Sequence, residues 1–167
     1  LHRLGIQAFE PVLIEGKGTF EPGFYDVPSS FDVLCTYADG VTVRISDSLP
    51  AGAKFIGENG QWVHVNRGSI NANPASLLNE TIGVNEVRFV RSTDHYQNFI
   101  DCVKSRQETL TPAETGHRSA SVGNLGLISI LVGRPIHWDP DTEIIKNDDE
   151  ASRYLTREMR APWTLPV

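Results

Sequence analysis

The pattern in this chain best suited to hold a ligand is Glu114-Thr115-Gly116-His117-Arg118. A carboxylate accepts hydrogen bonds, a guanidinium donates through a fixed fork, and an imidazole does either according to its protonation. The three side chains fall just inside a predicted helix start, where backbone N–H groups lack intrahelical partners and the helix end favours anions or polar oxygens. Together they could grip a polyhydroxyl molecule by fixed hydrogen bonds. Glu114, His117 and Arg118 are therefore the candidate substrate-binding residues. The competing reading is structural: Glu114 satisfies the helix start, and His117 and Arg118 sit on a solvated or interdomain face.

No other pattern offers chemistry. There is no G-x-S-x-G nucleophile elbow, no His-Glu-x-x-His and no paired cysteines that could hold zinc. Gly16-Lys17-Gly18 is the first half of a dinucleotide fingerprint. It runs into Thr19-Phe20-Glu21-Pro22, which cannot open a helix over a pyrophosphate. His2, His64, His95 and His137 read as solvated or hydrogen-bonded groups. Asp139, Asp141, Glu143, Asp148, Asp149 and Glu150 lie in a turn and at a helix start, where acids are common for structural reasons. The sequence thus names no catalytic, cofactor-binding or metal-binding residue.

Composition narrows the class. A chain of 167 residues is expected to form one domain with a full core. A net charge of −6 with scattered basic residues argues against a nucleic-acid partner. No apolar run approaches the roughly 20 residues that span a bilayer, so no membrane partner is expected. Cys35 and Cys102, on a predicted strand and helix, read as unpaired thiols. They leave the compartment, cytoplasmic or periplasmic, undecided. The opening Leu-His-Arg-Leu-Gly carries no signal pattern and reads as a fragment or processed product.

Strands are expected in the first half and helices in the last 75 residues or so, which favours an α+β fold. Pro11 to Phe20 predicts a first strand. Phe31 to Ala38 and Val41 to Ser46 flank Asp39-Gly40, a preferred two-residue hairpin turn. That register sets Leu34, Thr36 and Ala38 opposite Ile45, Val43 and Val41, and this face is expected to meet the helices. Val33, Cys35, Tyr37, Thr42, Arg44 and Ser46 are expected on the other face. A second two-residue turn at Asn59-Gly60 would put Trp62 opposite Gly57. Further strands are expected at Ser69 to Asn73 and Asn85 to Val90, with a short helical turn between them near Pro74 to Leu78. Helices are predicted over Thr93 to Arg106, from its Tyr96, Phe99, Ile100, Val103 stripe. Two more are predicted over Ala113 to Val132, between Pro112 and Gly133, and over Asp148 to about Met159.

Several segments, in order, carry a resemblance: Phe55-Ile56-Gly57-Glu58-Asn59-Gly60, the run His95 to Arg106, Glu114 to Ser119, Leu131 to Pro140, Asp148-Asp149-Glu150-Ala151 and Met159-Arg160-Ala161-Pro162-Trp163. Over roughly Val12 to Trp163 the chain resembles the C-terminal region of the Gfo/Idh/MocA oxidoreductases, the relatives of glucose–fructose oxidoreductase and inositol dehydrogenase, and most of all a bacterial branch. The resemblance implies a largely antiparallel open sheet with helices packed on one face, which walls a substrate site and forms subunit contacts through its open face. It also implies a separate N-terminal Rossmann domain that binds NAD or NADP, and hydride transfer at an alcohol of a sugar or cyclitol. The family's glycine-rich nucleotide loop, its Glu-Lys-Pro lysine and its Asp-x-x-x-His pair do not occur; Lys17, Lys54, Lys104 and Lys146 are the only lysines. Residues 1–167 are thus expected to be one C-terminal substrate and oligomerisation domain, inactive alone, carrying no cofactor and missing its nucleotide-binding partner. The alternative is a stand-alone binding or scaffold module with the same fold. An independent hydrolase built on His117 and Glu114 lacks a nucleophile–base pair.

Overall fold

The structure, a computed structural model, describes residues 10–23, 25–86, 92–157 and 159–164. It is α+β with antiparallel sheets, and it divides into two compact units, Leu1–Ser48 with Thr111–Val167, and Leu49–Leu110.

The first unit carries a five-stranded sheet. Its strands are β1 (Leu13–Thr19), β2 (Ser30–Thr36), β3 (Thr42–Ser46), β7 (Ile136–Asp139) and β8 (Ile144–Ile145), in the order β3-β2-β1-β7-β8. One helix, α2 (Ala113–Val132), lies on one face. Ile14 pairs with Cys35 on β2 and with Ile136 on β7. Opposed residues share a face, so one layer of the sheet presents Ile14, Val33, Cys35, Ile136, Trp138 and Ile145 to Leu125 and Ile128 of the helix, and all are buried. Each such side chain contributes about 1.5–3 kcal/mol by leaving water. Burial also pushes the Cys35 thiol up to about 11, so it packs as an apolar group. Both cysteines are free.

The expected hairpin is present, but its register and faces are corrected. Val33 opposes Ile45 and Cys35 opposes Val43. The loop holds three residues, Ala38 to Gly40, closed by Tyr37 N–H to Val41 O at 2.9 Å. Asp39 accepts from the Val41 N–H at 3.0 Å, and Gly40 takes the left-handed conformation (φ 88°). This is a turn followed by a left-handed glycine bulge, an alternative use of Asp-Gly. A slip of one residue moves every side chain to the other face. Val33 and Cys35 therefore enter the core, while Leu34 and Thr36 join the open face, where Arg44 pairs with Asp32.

The helix lies close to β1 because glycines meet at the contact. A Cβ on Gly16 would stand 2.8 Å from the Gly126 carbonyl oxygen, and Gly126 itself packs on the Val33 methyls. Buried Ser129 fastens the contact: its Oγ accepts from Gly16 N–H at 2.8 Å and lies 2.8 Å from the Arg134 carbonyl oxygen. Gly16-Lys17-Gly18 is therefore a strand segment under a helix.

α2 has the expected bounds, from Pro112 to a left-handed Gly133. The helix expected to reach Met159 is corrected. α3 spans only Asp149–Ser152, followed by a 3-10 turn at Arg153–Leu155. Only Ala151 of this segment is buried, and a helix with no apolar face to pack gains little from further turns. Asp148 caps α3 and receives two hydrogen bonds from Arg134, which holds its carboxyl below the usual carboxylate range.

The second unit has a three-stranded sheet, β4 (Ala53–Ile56), β5 (Trp62–Asn66) and β6 (Ser69–Asn73), then a 3-10 turn at Ala75–Asn79 and helix α1 (His95–Ser105). Its hairpin repeats the correction. Gly57 N–H bonds Gln61 O at 2.8 Å, the loop is Glu58 to left-handed Gly60, and Trp62 opposes Ile56. The Lys54 ammonium sits 4.5 Å over the Trp62 ring. Asp94 caps α1 by accepting from the Tyr96 and Gln97 N–H groups, and left-handed Arg106 ends it. The strand expected at Asn85 to Val90 falls mostly outside the described residues. Among the described residues no helix is long and apolar enough to cross a membrane.

Candidate functional site

The first turns of α2 bring Glu114, His117 and Arg118 onto one end of the first unit. Glu114 and Arg118 are one helical turn apart, and Arg118 Nε donates to Glu114 Oε1 at 2.8 Å. Arg118 reaches further, with Nη1 donating to Glu10 Oε2 at 3.0 Å and to the Pro140 carbonyl at 2.5 Å. The two carboxylates, Glu114 first and then Glu10, raise its already high pKa against the opposing effect of desolvation. Glu10 is fully buried, and the same oxygen accepts from Trp138 Nε1 at 2.8 Å. Its other oxygen, Oε1, has no hydrogen-bond partner among the described residues.

His117, on the same turn, points its Nε2 at the carboxylate of Glu143, 3.0 Å from each oxygen. Glu143 lies in the turn between β7 and β8 with φ 53°, and its Oε1 is 3.6 Å from Arg118 Nη1. The cluster thus holds three carboxylates, one guanidinium and one imidazole. Arg118 is its anchor, 22 % exposed, while the side chains of His117 (51 %) and Glu114 (64 %) face water.

The arrangement offers donors and acceptors in fixed positions, as a hydroxyl-rich ligand needs. It contains no serine, cysteine or lysine within the cluster that an adjacent base could activate as a nucleophile. Among the described residues no group of three or more His, Cys, Asp or Glu is placed to hold a metal ion. A reading of the sequence misses Glu10 and takes Glu143 for a structural turn acid, not a partner of His117. They lie 108 and 26 residues from their partners along the chain, and only the sheet topology unites them.

Of the remaining acids, Asp139, Asp148 and Glu150 have structural work. Asp139 pairs with Lys146 at 3.1 Å and accepts from the Asp141 and Thr142 N–H groups, which lower its pKa. Beside it, a cleft of about 500 Å³ is lined by Arg134, Pro135, Ile136, His137, Lys146, Asn147 and Asp148. Its Arg134 and Lys146 already hold carboxylates. His64 bonds the Ala51 carbonyl, His95 stacks on Tyr96, and His137 is exposed. His2 lies outside the described residues.

No curated protein and no solved structure matches the chain. A family model does, described as "Oxidoreductase family, C-terminal alpha/beta domain", over residues 24–165. That span covers most of the chain, including α2, its cluster residues and the β7–β8 turn, and the chain belongs to the Gfo/Idh/MocA oxidoreductase family as its C-terminal α/β domain.

Proposed function

We propose that this chain is the substrate-side and self-association part of an NAD(P)-dependent oxidoreductase that acts on an alcohol group of a sugar or cyclitol. The nucleotide is carried by a Rossmann domain elsewhere in the protein. The observation that carries the substrate half is the cluster on α2: water-facing Glu114 and His117, held beside Arg118. A hydroxyl both donates and accepts, so the mixture of carboxylate and imidazole suits it. A hydride donor or acceptor must come from the cofactor, and these residues supply none, so the chain alone is inactive.

What supports self-association is the sheet face opposite α2. Across it runs a row set by register, Glu15–Leu34–Arg44, acid, apolar and base. A two-fold axis along β2 would lay Glu15 of one copy against Arg44 of the other and Leu34 against itself. Such a face is self-complementary, as an isologous dimer requires. Light scattering on the chain should report a dimer or larger assembly. Leu34→Asp, which sets two carboxylates face to face, should weaken it at least about tenfold. A wild-type chain that stays monomeric at about 100 μM, well above the affinity of stable interfaces, would contradict self-association.

A further inference from the structure

We propose that Glu143 is a positioning residue for His117: it fixes the imidazole so that Nε2 is occupied and Nδ1 is left to a ligand hydroxyl. This rests on the reading of His117 as a substrate contact. A carboxylate only accepts, so the ring nitrogen that meets it, Nε2, carries the proton. Both Glu143 oxygens stand 3.0 Å from that nitrogen. In the neutral ring Nδ1 is then an acceptor. Nδ1 makes no hydrogen bond among the described residues, and half of the side chain is open to water.

The backbone supports a specific role. Glu143 adopts φ 53°, a conformation that a residue with a Cβ rarely takes, and Asn147 takes the same conformation four residues later (φ 55°). A glycine at position 143 would relieve that strain. A glutamate held there against its preference is explained by where its carboxylate must go. The β7–β8 turn brings it to α2, where its Oε1 also lies 3.6 Å from the Arg118 guanidinium.

Ring positioning and stability are separable by experiment. The chain, labelled with ¹⁵N at histidine, is examined by long-range ¹H–¹⁵N correlation with myo-inositol as a neutral polyol probe. The wild-type His117 ring should show one tautomer, protonated at Nε2 and bare at Nδ1, and its signals should move saturably with the polyol. Glu143→Gly should fold at least as stably, yet move the ring toward the averaged shifts of a free imidazole and weaken polyol binding about fivefold, the scale of one hydrogen bond. Glu143→Gln, which keeps an acceptor, should recover part of both effects. An unchanged His117 spectrum in Glu143→Gly overturns the proposal. So does polyol binding that weakens in His117→Ala but not in Glu143→Gly. Polyol binding that is absent in the wild type, or unchanged in His117→Ala, defeats the substrate-contact reading instead, while the ring spectrum still decides the role of Glu143.

Discussion

Arg118→Met should lower the free energy of unfolding by about 3 kcal/mol, the usual cost of removing one partner from a buried ion pair. The reason lies in what the substitution leaves behind. Glu10 has no access to water, and without Arg118 the Trp138 indole N–H is the only side-chain donor left to its carboxylate among the described residues. The Pro140 carbonyl loses its donor too. The penalty belongs mainly to the stranded carboxylate and not to the lost attraction. Adding Glu10→Gln to Arg118→Met should therefore recover a substantial part, because a neutral amide is far cheaper to bury than a charge. Urea unfolding followed by tryptophan fluorescence gives the cycle, with Trp138 as a reporter at the site. A loss below about 1 kcal/mol for Arg118→Met, the level of an exposed pair, would mean that Glu10 is not sealed from solvent.

The second large effect concerns the contact between helix and sheet. Gly16→Val should cost about 3 kcal/mol, at the upper end for overpacking a filled interior. Its Cβ would meet a backbone oxygen at 2.8 Å and the Ile130 side chain at the same distance. A flexible side chain can move aside, but the Gly126 carbonyl can retreat only if α2 lifts off β1, and Ser129 binds the two at that point. Gly123→Ala is the control. Nothing lies within 4 Å of its built Cβ, and alanine gains up to about 1 kcal/mol over glycine in a helix. The same urea titration should show opposite signs for the two variants. Equal and small effects would refute the close approach of α2 to β1.

These two sites show what the residues alone could and could not reveal. The bounds of α2 were legible because Pro112 and Gly133 are local signals that act on their own backbone. The presence of both hairpins was legible from Asp39-Gly40 and Asn59-Gly60. Their register was not, since the same dipeptide serves a two-residue turn or the end of a three-residue loop, and the apolar pattern on β2 and β3 fits either. Val33 and Cys35 face the helix only because Ile14 and Gly16 lie beside them on β1, a non-local fact. α3 misled for a related reason: its acids and arginines match a helix dipole, but no apolar face packs it beyond Ala151. In the candidate site, the proximity of Glu114, His117 and Arg118 follows from helical spacing. Glu10 reaches them only because β1 lies in the sheet beside β7, and Glu143 only because β7 and β8 turn back toward α2.

Under the proposed function, the work of an oxidoreductase would be shared between this chain, on the substrate and subunit side, and a nucleotide-binding domain on the cofactor side. Gly16-Lys17-Gly18 lies in mid-strand beneath α2, so that segment takes no part in holding a pyrophosphate. Calorimetric titration of the folded chain with NADH and with NADPH tests this division of work most directly. No heat of binding is expected for either nucleotide into the millimolar range; saturable micromolar binding of one of them would contradict this division.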